Sequence, residues 1–285
     1  MAFRFNFPNP ENPTYTENVE EAPFKEDVEN EKLDISNKEH AKEIFMKDNE
    51  IDMPEDVTAT IHTFNDVEVH CYNSESVEEY LCRNRSQTSN FVAAVSAHSD
   101  LVPDKYEGGL TVWECSLDLA EYLTTNKSQL QDTTVLELGC GAGIPGLCTM
   151  QCGASEVHFQ DYNSEVIEYF TIQNVRLHET WCHCRFFSGD WSYFYEIIRQ
   201  QKYDVILSAE TIYNPDNYKS LQAVFKSCLS EDGVIYLAAK SHYFGVGGGV
   251  HMFEEFIKKE GNFNIEVAHT INTEVPRVIL KLTWK

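Results

Sequence analysis

VLELGCGAG, at Val135–Gly143, is the stretch of sequence that decides the fold. It joins an apolar, strand-like run to a turn with glycines at alternate positions, Gly139, Gly141 and Gly143. A second apolar run then ends in Asp161. Glycines at this spacing let the backbone pass close to a ligand and adopt dihedral angles that a Cβ would forbid. A strand, a glycine turn and a second strand ending in an acid are typical of a nucleoside site in a doubly wound α/β fold.

The spacing of these glycines distinguishes between two classes of cofactor. Dinucleotide sites favour G-x-G-x-x-G, which points a helix N-terminus at a pyrophosphate. Here the pattern is acid-x-G-x-G-x-G, with Glu137 in front, and it suits a cofactor that has no phosphate and carries an ammonium group. Asp161 is placed to accept hydrogen bonds from both hydroxyls of a ribose. We therefore predict an S-adenosylmethionine (SAM) site in preference to an ordinary strand-to-helix turn.

The composition suits one domain of about 200 residues with an appendage. The chain has 285 residues, of which 42% are hydrophobic and 12% aromatic. No apolar run reaches the ~20 residues of a membrane helix and no leader follows Met1, so we expect a soluble protein, cytoplasmic and possibly nuclear. The nine cysteines are odd in number and scattered, which is typical of free thiols. No metal site is predicted, although Cys182 and Cys184 flank a histidine.

The net charge of −24 argues against direct binding of nucleic acid, which depends on Lys and Arg. An acidic surface attracts basic partners, although it can also serve solubility alone. Residues 1–56 hold 16 acidic and 6 basic side chains and are interrupted by prolines, so we expect this segment to be mostly disordered. FRFNF, at Phe3–Phe7, is the exception, because its aromatic residues alternate as in a half-buried strand.

Strand and helix patterns alternate along most of the remaining chain. Residues 57–107 form an extension with short strands near 58–64 and 67–72, and a helix opens the main domain at 108–123. Further strands are predicted at 133–138, 156–160, 184–187, 203–209, 233–239, 263–269 and 277–283. Further helices are predicted at 144–153, 164–176, 191–200, 217–229 and 250–260. This alternation indicates a doubly wound, Rossmann-like parallel sheet with helices on both faces and, because a short turn joins the final strands, an antiparallel last strand.

Residues that follow the strands are the candidates for ligand binding, because open α/β sheets bind ligands beyond the carboxyl ends of their strands. Asp190 follows the third strand, where it could accept the adenine amino group with Trp191 covering the ring, or could simply cap the next helix. The predicted cofactor-binding residues are Trp113, Glu137, Gly139, Gly141, Gly143, Asp161, Tyr162, Asp190, Trp191 and Ser208.

The predicted catalytic residues, Glu210, Tyr213 and Asn214, follow the fourth strand. A carboxylate there would stabilise the positive charge that develops on an attacking nitrogen, unless Glu210 only caps or pairs. Past the fifth strand, four glycines fall within five positions, at 245 and 247–249. Such a loop is costly to order unless a ligand or substrate approaches it closely.

Several motifs together resemble the histidine protein methyltransferase family, the methyltransferase-like protein 18 group. They are HSDLVPDKYEGGLTVWE, LELGCGAG, HFQDYN, RFFSGDW, SAETIYNP and SHYFGVGGGVH, within residues 98–285, together with FRFNF at the start. The resemblance implies seven strands and a SAM-dependent enzyme that methylates the distal (tele) ring nitrogen of a histidine in a large-subunit ribosomal protein. Asp190 stands where the family more often has glutamate, and the long acidic insert that some members carry before the third strand is absent.

Other interpretations stay open at this point. The run Glu210–Tyr213, acid-x-x-aromatic, would also fit the related protein lysine methyltransferases, whereas SHYFGVGGG favours the histidine group. A third reading is a non-catalytic, SAM-binding escort of a basic ribosomal protein. In the histidine reading Glu210 acts electrostatically, and Tyr213 and Asn214 position the acceptor ring. The expected partner is a basic protein substrate, bound by a monomer.

Overall fold

An eight-stranded sheet with helices on both faces lies at the centre of the chain. The structure, a computed structural model, describes residues 39–84, 106–198 and 200–285. The strands in these ranges are β1 (Lys42–Ile44), β2 (Ala59–Phe64), β3 (Val67–Tyr72), β4 (Thr134–Leu138), β5 (Glu156–Asp161), β6 (His183–Ser188), β7 (Tyr203–Ala209), β8 (Leu229–Lys240), β9 (Phe263–Ile271) and β10 (Arg277–Trp284). The helices are α1 (Ser74–Asn84), α2 (Glu114–Thr125), α3 (Ile144–Gln151), α4 (Ser164–Val166), α5 (Ile172–Arg176), α6 (Trp191–Ile198), α7 (Tyr218–Cys228) and α8 (Val250–Glu260).

The topology confirms the predicted fold class. The strand order is β1-β6-β5-β4-β7-β8-β10-β9, and the five strands from β6 to β8 run parallel. The last strand, β10, pairs antiparallel with both β8 and β9. β8 begins four residues earlier than its apolar pattern indicates. The predicted helix 164–176 is divided by a π-helical turn at Ile167–Thr171, between α4 and α5.

The eighth strand, β1, corrects the expected count of seven and part of the expected disorder. β1 pairs antiparallel with β6, and Glu43 lies opposite Phe187. Residues 39–56 were expected to belong to a mostly disordered segment, but the structure places β1 and a short 3₁₀ turn there. A strand of three residues is too short to show an alternating pattern, so the sequence carries little signal for it. Residues 1–38, including the predicted strand at Phe3–Phe7, lie outside the described residues.

The segment before α2 gives a second correction. The sequence predicts that a helix opens at Gly108, but α2 begins only at Glu114. Gly108 has a φ of 75°, and its carbonyl accepts a hydrogen bond from Thr111 N at 3.2 Å. Residues 108–113 therefore form a turn and a short loop, which leaves them free to line the site described below.

Two apolar clusters pack against opposite faces of the sheet. One gathers residues of α2, α3 and the π-helical turn around Phe159, and the other gathers α6, α7 and α8 around Phe187 and Phe225. The hairpin predicted near 58–72 is present as β2 and β3, which form a separate two-stranded sheet. It is joined to the domain by Tyr72 N, which donates to Asn174 Oδ1 at 2.8 Å. No helix among the described residues is long and apolar enough to cross a membrane.

The ion pair between β1 and β6 provides a test of the edge strand. Arg185 donates to both carboxylate oxygens of Glu43 at 2.8 Å, and the two side chains are 29% and 20% exposed. Arg185→Met should lower the free energy of unfolding by about 1–3 kcal/mol, because it leaves the partly buried carboxylate of Glu43 without its cation. Lys281→Met, which breaks a more exposed pair with Glu266, is the control and should cost less than about 1 kcal/mol. Equal losses in urea unfolding would contradict the assigned role of the pair.

Candidate active site

A cleft opens at the carboxyl ends of β4, β5, β6 and β7, where doubly wound sheets bind their ligands. It encloses about 940 Å³, part of which is open to solvent. Ten predicted site residues line it, namely Trp113, Glu137, Gly139, Gly141, Asp161, Tyr162, Asp190, Trp191, Glu210 and Tyr213. The structure therefore brings together most of the residues that the motifs selected, although they come from separate segments of the chain.

The glycine turn after β4 packs tightly against neighbouring loops. Gly139 and Gly141 have φ values of 61° and 52°. A Cβ on Gly139 would lie 2.6 Å from Thr211 Cγ2, and one on Gly141 would lie 2.9 Å from the carbonyl oxygen of Gly109. Both positions thus require glycine for conformation and for space. Gly143 does not line the cleft but precedes α3, with a φ of 77°.

Asp161 closes this turn onto the end of β5. Its Oδ2 accepts a hydrogen bond from Gly141 N at 2.9 Å, and its Oδ1 accepts one from Asn163 N at 3.2 Å. Burial raises the pKa of Asp161 to about 6, although the backbone N–H groups oppose the rise. A carboxylate has about four lone-pair sites, and the backbone donors Gly141, Asn163 and Tyr162 do not use all of them, so the predicted contact with a ribose is compatible with these bonds.

Glu137 has a structural role that the sequence did not predict. Its Oε2 accepts a hydrogen bond from Gly146 N at 2.9 Å and so anchors the first turn of α3. The carboxyl is 2% exposed, and burial, followed by the nearby charge of Asp161, raises its pKa to about 8. The expected role of this acid beside a cofactor ammonium stays a prediction.

The wall formed after β6 carries Asp190 and Trp191. Asp190 Oδ1 accepts a hydrogen bond from Ser192 N at 2.8 Å, so the side chain caps α6, which was the alternative reading of this residue. Trp191 Nε1 donates to Gln160 Oε1 at 2.7 Å, which fixes the indole at the edge of the cleft. The adenine contact of Asp190 stays a prediction.

Glu210 and Tyr213 form the wall after β7. Glu210 has a φ of 59°, a strained value for a residue with a side chain. Both of its carboxylate oxygens are buried without a hydrogen-bond donor of normal geometry, and the nearest cation is Lys240 Nζ at 3.4 Å. Tyr213 donates a hydrogen bond to Glu107, a cleft residue absent from the predicted set. Glu107 lies immediately before a Gly-Gly pair, which was the available signal.

Besides Gly143, two predicted residues do not line the cleft, Ser208 and Asn214. The Ser208 hydroxyl is fully buried, donates to the Leu138 carbonyl at 3.1 Å and lies 2.7 Å from Thr211 Oγ1. Asn214 Oδ1 accepts a hydrogen bond from Asp216 N at 3.0 Å and begins a 3₁₀ turn. Ser208 thus ties β7 to β4, and Asn214 acts as a cap. Proximity in sequence to the strand end suggested both residues, but side-chain direction decided otherwise.

The glycine-rich loop after β8 approaches the chain itself. Gly248 N donates to the Tyr213 carbonyl at 2.9 Å, and a Cβ on Gly248 would lie 2.3 Å from the carbonyl oxygens of Ile212 and Tyr213. The expectation that a substrate explains these glycines is therefore wrong at Gly248, where the chain's own backbone is the close neighbour. This contact packs the loop against the wall of the cleft that Glu210 and Tyr213 form.

The charge of the cleft distinguishes between cofactors. Five acidic side chains line it, those of Glu107, Glu137, Asp161, Asp190 and Glu210. None of the described residues that line it is Lys, Arg or His. Although burial favours the protonated form of Glu137, a wall of acidic side chains without a basic one repels the pyrophosphate of a dinucleotide and attracts a sulfonium ion with an ammonium group. The residues present therefore fit SAM.

Comparisons with known proteins agree with this geometry. Residues 103–258 match a family model described as Lysine methyltransferase. The mouse protein "Histidine protein methyltransferase 1 homolog" is 38% identical over 242 residues, which cover 75% of this chain and 67% of that protein. The bovine protein of the same name is 41% identical over 219 residues, which cover 67% of this chain and 59% of that protein.

The chain belongs to the histidine protein methyltransferase family. SAM is accordingly the cofactor. The chain spans about 59% to 67% of the length of the mouse, rat and bovine relatives. A Streptococcus mutans protein assigned as a SAM-dependent methyltransferase superposes with a TM-score of 0.51 at 13% identity, over 82% of this chain and 57% of that chain. That likeness supports the fold alone.

One group of possible metal ligands lies at the opposite end of the sheet, near the start of β5 and β6. Glu156 Oε1 lies 2.8 Å from His158 Nε2 and 2.9 Å from His183 Nδ1. The three ligand atoms lie within 4.8 Å of one another. The sequence predicted no metal site, and this cluster takes no part in the methyltransferase cleft.

The buried acid of the cleft predicts how stability depends on pH. Glu137 keeps its proton to about pH 8 in the folded state, whereas an unfolded chain loses it near pH 4.3. The folded state therefore binds more protons between these values, and stability falls as the pH rises through them. Glu137→Gln should reduce this fall by a few kcal/mol in urea unfolding without SAM. Glu266→Gln, at an exposed site, is the control; an unchanged pH slope in Glu137→Gln would contradict the assignment.

The glycine loop provides a second prediction from this family's site. Gly248→Ala should cost about 2 kcal/mol or more, because the methyl group would overlap two carbonyl oxygens. Gly247→Ala is the matched control: its Cβ has nothing within 4 Å, and its φ of 85° should cost only about 1 kcal/mol. Thermal unfolding compares the two variants. A smaller loss for Gly248→Ala than for Gly247→Ala would refute the close packing.

Proposed function

We propose that this chain transfers the methyl group of SAM to the tele nitrogen of a histidine in a basic, large-subunit ribosomal protein. The observation that carries the proposal is Glu210, a buried carboxylate on the cleft wall whose oxygens have no hydrogen-bond donor of normal geometry. The names of the mouse and bovine relatives support histidine as the acceptor. The net charge of −24 supports a basic partner.

A histidine acceptor needs orientation more than activation. An imidazole has an ordinary pKa near 6.5, so it is mostly neutral at pH 7 and already has a nucleophilic lone pair. Glu210 would accept a hydrogen bond from the pros N–H, which selects the tautomer whose lone pair lies on the tele nitrogen. The same carboxylate would stabilise the imidazolium that forms.

The transfer step is balanced without a further reactant. SAM supplies a methyl group that its sulfonium charge activates. As the new N–CH₃ bond forms from the nitrogen lone pair, the S–CH₃ bond breaks and its electron pair stays on sulfur. The product imidazolium loses its pros proton to water after release. Tyr213, whose hydroxyl donates to Glu107, would border the ring rather than remove a proton from it.

A lysine acceptor is the second candidate, because the matching family model is described as Lysine methyltransferase. A lysine ammonium, with an ordinary pKa near 10.4, must lose a proton before it can attack. The acidic cleft would stabilise that ammonium in its charged and unreactive form. This electrostatic argument favours the neutral imidazole.

The test uses labelled SAM, the purified chain and proteins extracted from large ribosomal subunits, followed by acid hydrolysis. We expect label in 3-methylhistidine and none with Asp161→Ala. Glu210→Gln should lower kcat about 100-fold with SAM binding retained, whereas Asn214→Ala, outside the cleft, should resemble the unaltered chain. Raising the salt concentration should slow transfer by screening the acidic surface.

Other outcomes would overturn the proposal in distinct ways. Label in methyl-lysine would make the chain a lysine methyltransferase with the same cofactor site. If the ribosomal proteins take up no label although calorimetry shows that the chain binds SAM, the proposal of a ribosomal substrate would be contradicted. That result would favour a non-catalytic escort. Transfer that is insensitive to salt would remove the argument for a charge-guided partner.

A further inference from the structure

Lys240, the last residue of β8, lies directly behind the catalytic wall. Its Nζ is 3.4 Å from Glu210 Oε1, 3.1 Å from Glu114 Oε2 and 5.3 Å from the centre of the Trp113 ring. The side chain is only 11% exposed. Two carboxylates and an aromatic face together form a binding place for an ammonium group, and the chain fills it with its own lysine.

The surroundings of Lys240 keep it charged. Burial lowers its pKa, but Glu210 and then Glu114 raise it, and the net effect is a pKa above the ordinary value. The Cys115 thiol and the Tyr243 hydroxyl also lie near Glu210, and burial, followed by its charge, raises their pKa values. These two groups are therefore neutral, and Lys240 supplies the positive charge that balances Glu210.

The contact between Lys240 and Glu210 is an ion pair and not a hydrogen bond of normal geometry. Its nitrogen and oxygen lie 3.4 Å apart, and both Glu210 oxygens are without a hydrogen-bond donor of normal geometry. Glu210 lines the cleft, whereas Lys240 does not. The ammonium thus lies beside Glu210 but outside the cleft lining, and it attracts the carboxylate electrostatically.

We propose that Lys240 is a positioning and specificity residue: it orients Glu210 and already pairs with its carboxylate, so that the site favours a neutral imidazole over a second cation. The proposal rests on the proposed function. It adds a physical reason for selecting histidine over lysine, because a substrate lysine would bring a second cation to carboxylates that are already paired.

The test is chemical rescue of the full chain. Lys240→Ala removes the ammonium group that lies beside Glu210, Glu114 and Trp113, and propylammonium is the probe that can bind in its position. We expect propylammonium to raise the melting temperature of Lys240→Ala but not that of the unaltered chain or of Lys281→Ala, a control at an exposed ion pair. Methyl transfer by Lys240→Ala to large-subunit ribosomal proteins should fall roughly tenfold or more in kcat and recover partly with propylammonium. Lys240→Arg should retain most of the activity.

The readouts separate this proposal from the proposed function. Stabilisation of Lys240→Ala by propylammonium, without methylhistidine from the unaltered chain, would contradict the proposed function and leave the ammonium place established. Equal stabilisation of both chains, or a Lys240→Ala kcat within twofold of the unaltered value, would overturn the role of Lys240. If Lys240→Ala fails to fold, the double variant Lys240→Met with Glu114→Gln removes one charge of each sign. A tenfold or greater fall in its kcat would support the role of Lys240, and a kcat within twofold of the unaltered value would overturn it.

Discussion

The hydrogen bond from Gly141 N to Asp161 Oδ2 is the interaction on which the rest of the site depends. It joins the turn after β4 to the end of β5, and these two strands lie side by side in the parallel sheet. A Cβ on Gly139 would lie within 3 Å of Thr211, and a Cβ on Gly141 would lie within 3 Å of Gly109. The same turn therefore packs closely against the loop before α2 and the loop after β7. One buried carboxylate thus organises three walls of the cleft.

Acidic side chains outnumber basic ones in the cleft lining, and this imbalance suits a cationic cofactor. Burial raises the pKa values of Glu137 and Asp161, so their ionisation is costly, and a cationic cofactor would offset that cost. At the other end of the cleft, Lys240 Nζ lies 3.4 Å from Glu210 Oε1. The cofactor end of the cleft therefore gains its counter-charge from the ligand, whereas the proposed acceptor end carries a counter-charge of its own.

The sequence predicted correctly the features that depend on neighbouring residues, and it missed features that depend on contacts between distant parts of the chain. The glycine turn, the alternation of strands and helices and the helix at 250–260 depend on neighbouring residues, and all are present. The three-residue β1 and the late start of α2 depend on pairing and loop packing, and the sequence patterns missed both. The resemblance to the histidine protein methyltransferase family is confirmed, because it rests on several motifs rather than on one.

By itself the sequence determined the fold class and the cofactor, because the period of apolar residues and the spacing of glycines are local properties of the chain. The family followed from the resemblance of several motifs. Only the tertiary structure decided which polar side chains face the cleft. Ser208 points into the sheet and Asn214 caps a turn, whereas Glu107 and Glu210 reach the same cleft from distant segments. Lys240 meets Glu210 because β8 lies beside β7 in the sheet, and strand order depends on the packing of the whole domain.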